Sequence, residues 1–475
     1  MAGSGADRAV GKYLKQYAEP EAALAAALPG EFGNAVVVPA YGEGDSLFKM
    51  LGSVAAGAGT DVLVVLVLNA RADSSEEIHR ANSAARERLS RELPFPQEAA
   101  QDGSLLSYPL EHGRLVLVDR ARPGRYLPEG QGVGLARKIG FDVALALKAA
   151  GRIASDWIHS TDADTVLPRD YLEQIQSLDP EETAAAVYSF EHRFDPDPAL
   201  GEAARLYEIS LRYYVLGLAW AGSPYAYHSM GSCLAISCAA YARVRGFPRR
   251  NALEDFHALN KLAKVGAIVR LIGEPLLLEG RVSERVPVST GKALGDLVSR
   301  RGALAGFRLY HPAVFGHLAA WLRVLAAIAR SGGDARAPLT ELPGDSPFFR
   351  ADLLTGTLET MGAFGAIREA IARSHDEKTL LRHLHTWFDA LRTVRLIHAL
   401  RDGGLPSTGY HQALTEAPFT GLAESVEEEP EELRKTLLAE EKKLAETPVG
   451  VSAILDMRHR AQGARSTAKT TRTPS

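Results

Sequence analysis

The chain has 475 residues, of which 46% are hydrophobic and 24% charged, and a formal net charge of −4. That is the composition of a globular protein, long enough for one large domain and a second, smaller one. Nothing in this slightly acidic balance points to nucleic-acid binding, which usually needs a strongly basic face.

Near the N-terminus Asp7, Arg8, Lys12 and Lys15 interrupt any apolar run, so no signal peptide is expected. Asn34-Ala-Val-Val-Val-Pro39 reads as a short strand ending in a turn at Tyr41-Gly-Glu43-Gly, and Asp45 to Val54 as a helix. Asp61 to Leu68 is apolar on both faces, as a central parallel strand is. Ser74 to Leu89 is a charged, exposed helix with a serine cap. Leu115 to Val118 and Trp157 to Thr161 are further strands, separated by a helix from Leu135 to Ala150 with Ile139, Val143 and Leu147 on one face. Alternating strands and helices predict a mostly parallel sheet whose ligands lie at the carboxyl ends of the strands. Tyr41, Asn69, Asp119 and Asp162 all follow predicted strands, so one crevice collects them.

Tyr207 to Ala221 reads as an aromatic-rich helix, Leu276 to Leu278 as a strand, and Ser283 to Lys292 as a loop. Beyond residue 300 the pattern turns helical. Leu380, Leu384, Trp387, Leu391 and Val394 mark one amphipathic helix, and Glu427 to Glu446 a charged one, acidic first and lysine-bearing later. From Gly463 the tail has no periodicity and is expected to be disordered. The most apolar windows, Val62–Leu68, Leu216–Ala221 and Val324–Ile328, fall short of the roughly 20 residues that span a bilayer. No transmembrane segment is expected; peripheral contact with a lipid acceptor stays open. Two cysteines, Cys233 and Cys238, are too few for a disulfide framework and read as buried thiols in a reducing, cytoplasmic compartment.

Three stretches carry chemistry. Thr161-Asp162-Ala-Asp164 sets two carboxylates at a strand end, where both can reach one hard cation such as Mg²⁺ or Mn²⁺; the plainer reading is an Asx-turn. Glu254-Asp255 opens a helix: a general base, or simple dipole stabilisation. Gly130-Gln-Gly-Val-Gly-Leu-Ala-Arg137-Lys138 opens another, where backbone and Arg137 or Lys138 can meet a diphosphate, an exposed helix charge being the alternative. It is not a P-loop, since the Lys-Ser/Thr ending is missing. His228 reads as a third metal ligand, an acceptor contact or, more commonly, a core histidine. Tyr213, Tyr214 and Trp220 are spaced as core aromatics, though they are also sugar-stacking types.

Taken in order, Val-Val-Val-Pro39-Ala-Tyr41-Gly-Glu43, the Gly-rich segment through Arg137, Asp162-Ala-Asp164, Gly231-Ser232-Cys-Leu-Ala-Ile-Ser, Tyr241 to Phe247 and Glu254-Asp255 resemble a family 2 glycosyltransferase of the GT-A fold, over about residues 34 to 290. The resemblance implies a GT-A α/β catalytic domain that binds a nucleotide-sugar (34–299), and the residue pattern adds an N-terminal helical segment (1–33), a helical extension (300–446) and a tail expected to be disordered (447–475). It implies an inverting transfer of one sugar from a UDP- or GDP-sugar to an acceptor hydroxyl, with Mg²⁺ or Mn²⁺. Pro39, Tyr41, Glu43 and Asn69 would lie at the nucleotide, Asp162 at the ribose or metal, Asp164 on the metal, Arg137 near the diphosphate or base, and Gly231 and Ser232 by the donor sugar. Asp255 would be the base, with Glu254 beside it at the acceptor. Asn69-Ala-Arg-Ala-Asp73 replaces the family's usual acidic cluster, and the Gln-x-x-Arg-Trp motif and membrane helices of processive members are missing. Where that motif would stand, Arg281 and Arg285 are expected to neutralise the leaving diphosphate. The helical extension would shape an acceptor pocket or a dimer contact. A sugar-phosphate nucleotidyltransferase and a non-catalytic nucleotide-sugar-binding protein are the alternatives.

Overall fold

The computed structural model describes residues 5–25, 28–57, 61–94, 96–98, 103–194, 197–282, 290–299, 306–331, 348–422, 429–445 and 447–455. Arg285 and the tail from Gly463 lie outside these residues. The chain divides into two compact units: Met1–Gly201 with Ser229–Asp296, and Glu202–His228 with Leu297–Ser475.

The strands of the first unit are β1 (Asn34–Ala40), β2 (Val62–Asn69), β3 (Gln97–Glu98), β4 (Leu105–Leu110), β5 (Gly113–Arg120), β6 (Trp157–Ser160), β7 (Thr165–Val166), β8 (Thr183–Val187), β9 (Phe190–Phe194), β10 (Leu234–Ser237), β11 (Ala267–Arg270) and β12 (Leu276–Gly280). Nine of them form one sheet in the order β11-β8-β10-β6-β1-β2-β5-β4-β3. Its centre, β6-β1-β2-β5, is parallel, and only β10 and β4 run against the rest. The mostly parallel α/β sheet is thus the architecture expected. All eight residues of β2 are buried, which its apolar run on both faces requires. The register pairs Val37 with Ser160 and Leu68 with Asp119, so the ends of β1, β2, β5 and β6 share one edge. A second, three-stranded sheet has the order β7-β12-β9, and its strand β7 directly follows β6 in the chain.

The helices here are α1 (Gly5–Gln16), α2 (Glu21–Leu24), α3 (Asp45–Gly57), α4 (Glu76–Glu92) and α5 (Val133–Ala149). Ser75 caps α4 by accepting from the Ile78 N–H. The close approach of α5 to the sheet is set by Gly140, where a Cβ would sit 2.3 Å from Val37 Cγ1. Inside α5, Lys138 is buried and spent on structure. Its Nζ donates to Asp142 Oδ2 at 2.6 Å, Tyr13 Oη at 2.8 Å and the Tyr17 carbonyl at 2.7 Å. That cluster ties α1 to α5 through the buried Tyr13, so the N-terminal helices pack on this unit, and the Lys138 ammonium is engaged by protein partners.

α6 (Pro198–Trp220) runs across the division; α7 (Cys238–Arg243), α8 (Glu254–Leu262) and α9 (Thr290–Val298) complete the first unit apart from the last residues of α9. The second unit holds the short ribbon β13 (Arg308–Leu309) and β14 (Thr408–Gly409), and α10 (Ala313–Ser331), α11 (Ala351–Thr360), α12 (Ala363–Ala372), α13 (Glu377–Trp387), α14 (Ala390–Asp402), α15 (Tyr410–Glu416) and α16 (Pro430–Leu444). The single amphipathic helix expected around Leu384 and Leu391 is instead two. The chain breaks at Phe388, and Asp389 caps α14 by accepting from the Arg392 N–H at 3.2 Å. α10 alone among the described residues is long and apolar enough to cross a membrane. Val314, Phe315, Leu318, Trp321 and Leu325 are nonetheless buried in this unit's core.

His228 pairs with Glu441, which also accepts from Arg212. Arg212 reaches Glu208 at 3.1 Å, and Glu208 accepts from Arg434 at 3.2 Å. This chain of polar contacts fastens α16 to α6, so His228 is a part-buried residue hydrogen-bonded to Glu441. Tyr213 is core, donating to the Tyr310 carbonyl at 2.8 Å, while Trp220 is largely exposed beside Phe419.

Candidate active site

The site is built at the carboxyl end of the parallel strands. Past β6 the chain turns, with the Thr165 N–H donating to the Asp162 carbonyl at 3.2 Å, and this turn presents Asp162 and Asp164. Each carboxylate meets an arginine. Asp162 accepts from Arg137 Nη2, and Asp164 Oδ2 lies 2.9 Å from Arg281 Nη2.

Arg137 is the hub. It is 1% exposed, and each of its three nitrogens has a partner: Nε donates to Ser160 Oγ at 2.9 Å, Nη1 to Glu254 and Nη2 to Asp162. Burial works against its charge, but Asp162, Glu254 and Asp255 outweigh it and hold the guanidinium protonated. Arg137 was expected near the diphosphate or base; in the structure its N–H groups bond Ser160, Glu254 and Asp162. Gly231 explains how so large a side chain fits. A Cβ there would lie 2.5 Å from Nη1 and 2.6 Å from Cζ, so the glycine makes room for Arg137. The Gly231 carbonyl accepts from Ser160 Oγ at 2.8 Å, and its N–H donates to Asp255 Oδ2 at 2.8 Å.

Glu254 and Asp255 start α8. Leu253, just before them, holds φ 60° and ψ 21°, a left-handed conformation that costs roughly 1–2 kcal/mol for a residue with a Cβ. Such strain gathers where a chain must aim side chains at a site. Glu254 is buried on Arg137, and burial raises its pKa against that partner's pull. Asp255 is half-buried, and burial raises its pKa too. Its Oδ1 accepts from the Phe256 N–H at 2.7 Å, so two backbone donors fix the carboxylate plane.

On the other side, Glu43 Oε2 shares Arg281 Nη2 at 2.7 Å. Glu279 reaches the same corner, accepting from Ser46 Oγ at 2.6 Å, and its N–H meets the Asp164 carbonyl at 3.3 Å. Asp164 feels this crowd. Burial first, then Asp162 and Glu43, push its pKa up to about 7 although Arg281 opposes them.

The remaining expected residues sit around this centre. Pro39 is in β1, paired with Val67. The Tyr41 hydroxyl is 2.9 Å from Ser74 Oγ. Asn69 is buried and serves the backbone, donating to the Ala40 carbonyl at 2.8 Å. Asn82, fully buried on α4, accepts from the Gly42 N–H at 3.0 Å and donates to the Asn69 carbonyl at 2.9 Å. Ser232 Oγ lies 3.5 Å from Cys233 Sγ. Cys233 and Cys238 are free and buried, and burial pushes both thiols up to about 12. Asp119 is buried and paired with Arg86 at 3.0 Å and Arg122 at 2.6 Å, so it closes the loop after β5. The glycines opening α5 are packing glycines. A Cβ on Gly134 would be 2.4 Å from the Pro248 carbonyl, and one on Gly132 2.9 Å from Asn251 Oδ1. Glu279, Ser160 and Asn82 were not anticipated. Only Asn82 left a signal, a polar residue on the apolar face of an otherwise regular helix.

A divalent cation fits this donor set in one way. Among the described residues no three His, Cys, Asp or Glu side chains converge as a closed cage. Asp162 and Asp164 would supply two hard oxygens and leave other positions to phosphate and water, the usual habit of Mg²⁺. The charge balance agrees: among the described residues, Glu43, Asp162, Asp164, Glu254, Asp255 and Glu279 gather around Arg137 and Arg281.

No family model and no curated protein match this chain. Among solved structures, it is similar to residues 1–349 of TarS from S. aureus in complex with UDP-GlcNAc: 12% identity, TM-score 0.34, covering 78% of this chain and 92% of that one. A mannosyltransferase from Pyrobaculum calidifontis, in complex with GDP-Man and Mn²⁺, is 18% identical with TM-score 0.31, over 84% and 95% of the two chains. S. aureus TarS also aligns at 14% identity and TM-score 0.30, over 77% and 54%. Likenesses this distant carry no functional argument, which rests on the site itself.

Proposed function

We propose that this chain is a GT-A-type, inverting glycosyltransferase that moves one sugar from a nucleoside-diphosphate sugar to an acceptor hydroxyl. The observation that carries the reading is the Arg137 bridge. It joins Asp162 of the Asp-x-Asp turn to Glu254, the neighbour of Asp255, so two motifs far apart in sequence make one acidic site. Such a site suits a reaction that deprotonates a hydroxyl and expels an anionic diphosphate.

Asp162 and Asp164 would hold Mg²⁺ or Mn²⁺. When bound, that ion supplies Lewis-acid stabilisation of the charge gathering on the leaving diphosphate. Asp255 takes the proton of the acceptor hydroxyl. The acceptor oxygen then bonds to the anomeric carbon as the bond to the phosphate oxygen breaks, and the diphosphate leaves with that electron pair. Inversion follows from attack on the opposite face. Asp255 suits the role because each of its oxygens keeps a lone pair after accepting one backbone N–H. Glu254 is committed to Arg137 and acts as a positioning residue.

A thermal-shift screen tests the reading. With Mn²⁺, UDP- or GDP-sugars at about 100 times Kd should stabilise the fold by about 2.7 kcal/mol and raise Tm by several degrees. No rise with any nucleotide sugar contradicts it.

A further inference from the structure

We infer that the Arg281 guanidinium competes with a divalent ion for Asp164, so the ion must displace it to bind. The inference rests on the proposed cation site at Asp162 and Asp164, and concerns which of this chain's own charges opposes the ion there.

Three observations carry it. Arg281 Nη2 touches Asp164 Oδ2 at 2.9 Å and Glu43 Oε2 at 2.7 Å, so one nitrogen bridges both carboxylates. Backbone pairing fixes that position. β12 runs antiparallel to β7 with Leu278 opposite Thr165, and the Glu279 N–H meets the Asp164 carbonyl, so Arg281 emerges beside Asp164. Third, Arg281 remains 30% exposed, so the guanidinium can leave without breaking the core.

A guanidinium and a divalent ion on the same carboxylate would repel at short range, a term that is large in a partly dry cleft. Arg281 therefore weakens cation binding to the donor-free protein. A nucleoside diphosphate changes the balance, because its oxygens give Arg281 a second anionic partner that suits a fork of N–H donors. Diphosphate and metal then bind with positive coupling, and linkage makes the coupling reciprocal.

The test is Mn²⁺ binding to the full chain, read by the electron-spin resonance of free Mn²⁺ without any turnover. Arg281→Gln should bind Mn²⁺ about tenfold tighter than wild type in the absence of nucleotide. Arg281→Lys, which keeps the charge, should stay near wild type. Adding UDP or GDP should tighten Mn²⁺ binding by wild type more than by Arg281→Gln. Equal or weaker Mn²⁺ affinity in Arg281→Gln, or equal gains from the diphosphate, overturns the inference while leaving the cation site standing. Mn²⁺ affinity unchanged in Asp164→Asn, or no Mn²⁺ binding even with diphosphate, instead removes the site, and the inference falls with it.

Discussion

Replacing Asp255 by asparagine is expected to lower kcat by about 10³-fold, within the range a positioned general base contributes, with donor affinity nearly unchanged. The amide has no basic lone pair of comparable strength, so the acceptor hydroxyl keeps its proton. The fold should tolerate the change. Asparagine Oδ1 can still accept from one of the two backbone N–H groups, at Gly231 or Phe256, and the other is left facing an NH₂. A modest destabilisation with the kcat loss and an unmoved donor Kd is the expected pattern; kcat within tenfold of wild type would reassign the base. Glu254→Gln should behave differently, losing stability through its bond to Arg137 more than it loses chemistry.

The largest structural effect is expected at Arg137. Arg137→Met strands the buried Glu254 carboxylate and leaves Asp162 unpaired, and breaking one side of such a buried pair typically costs about 3–5 kcal/mol. Urea denaturation reads that loss as a lower midpoint. Arg137→Lys should not restore it, because a point charge cannot serve Ser160, Glu254 and Asp162 at once as a planar fork does. In a double-mutant cycle, Arg137→Met with Glu254→Gln should be less destabilised than the sum of the singles. Additive effects would mean that the bridge does not hold the two motifs together.

Much of this was legible from residues alone. The central strands declared themselves as apolar runs, and the two acidic motifs stood where the strand and helix signals placed them. What stayed hidden depended on contacts distant in sequence. β8 reads Thr-Ala-Ala-Ala-Val, and alanine carries little strand preference, so its burial beside β10 and β11 left no mark. Arg137 suits a phosphate as well as a carboxylate, and only burial distinguishes its use. Gly231 was read against the donor sugar because a glycine says that space is needed, not which group needs it. The link of Arg281 to Glu43 spans 238 residues, and nothing local encodes it. Likewise, the break before α14 turned on Asp389 acting as a cap inside a continuous apolar stripe.

The most direct test is product identity. Nucleotide sugars incubated with the chain and Mn²⁺ should release a nucleoside diphosphate, and the release should vanish on chelation and in Asp164→Asn. Diphosphate release by Asp164→Asn at the wild-type rate, or pyrophosphate formed from a nucleoside triphosphate and a sugar phosphate, would contradict the account.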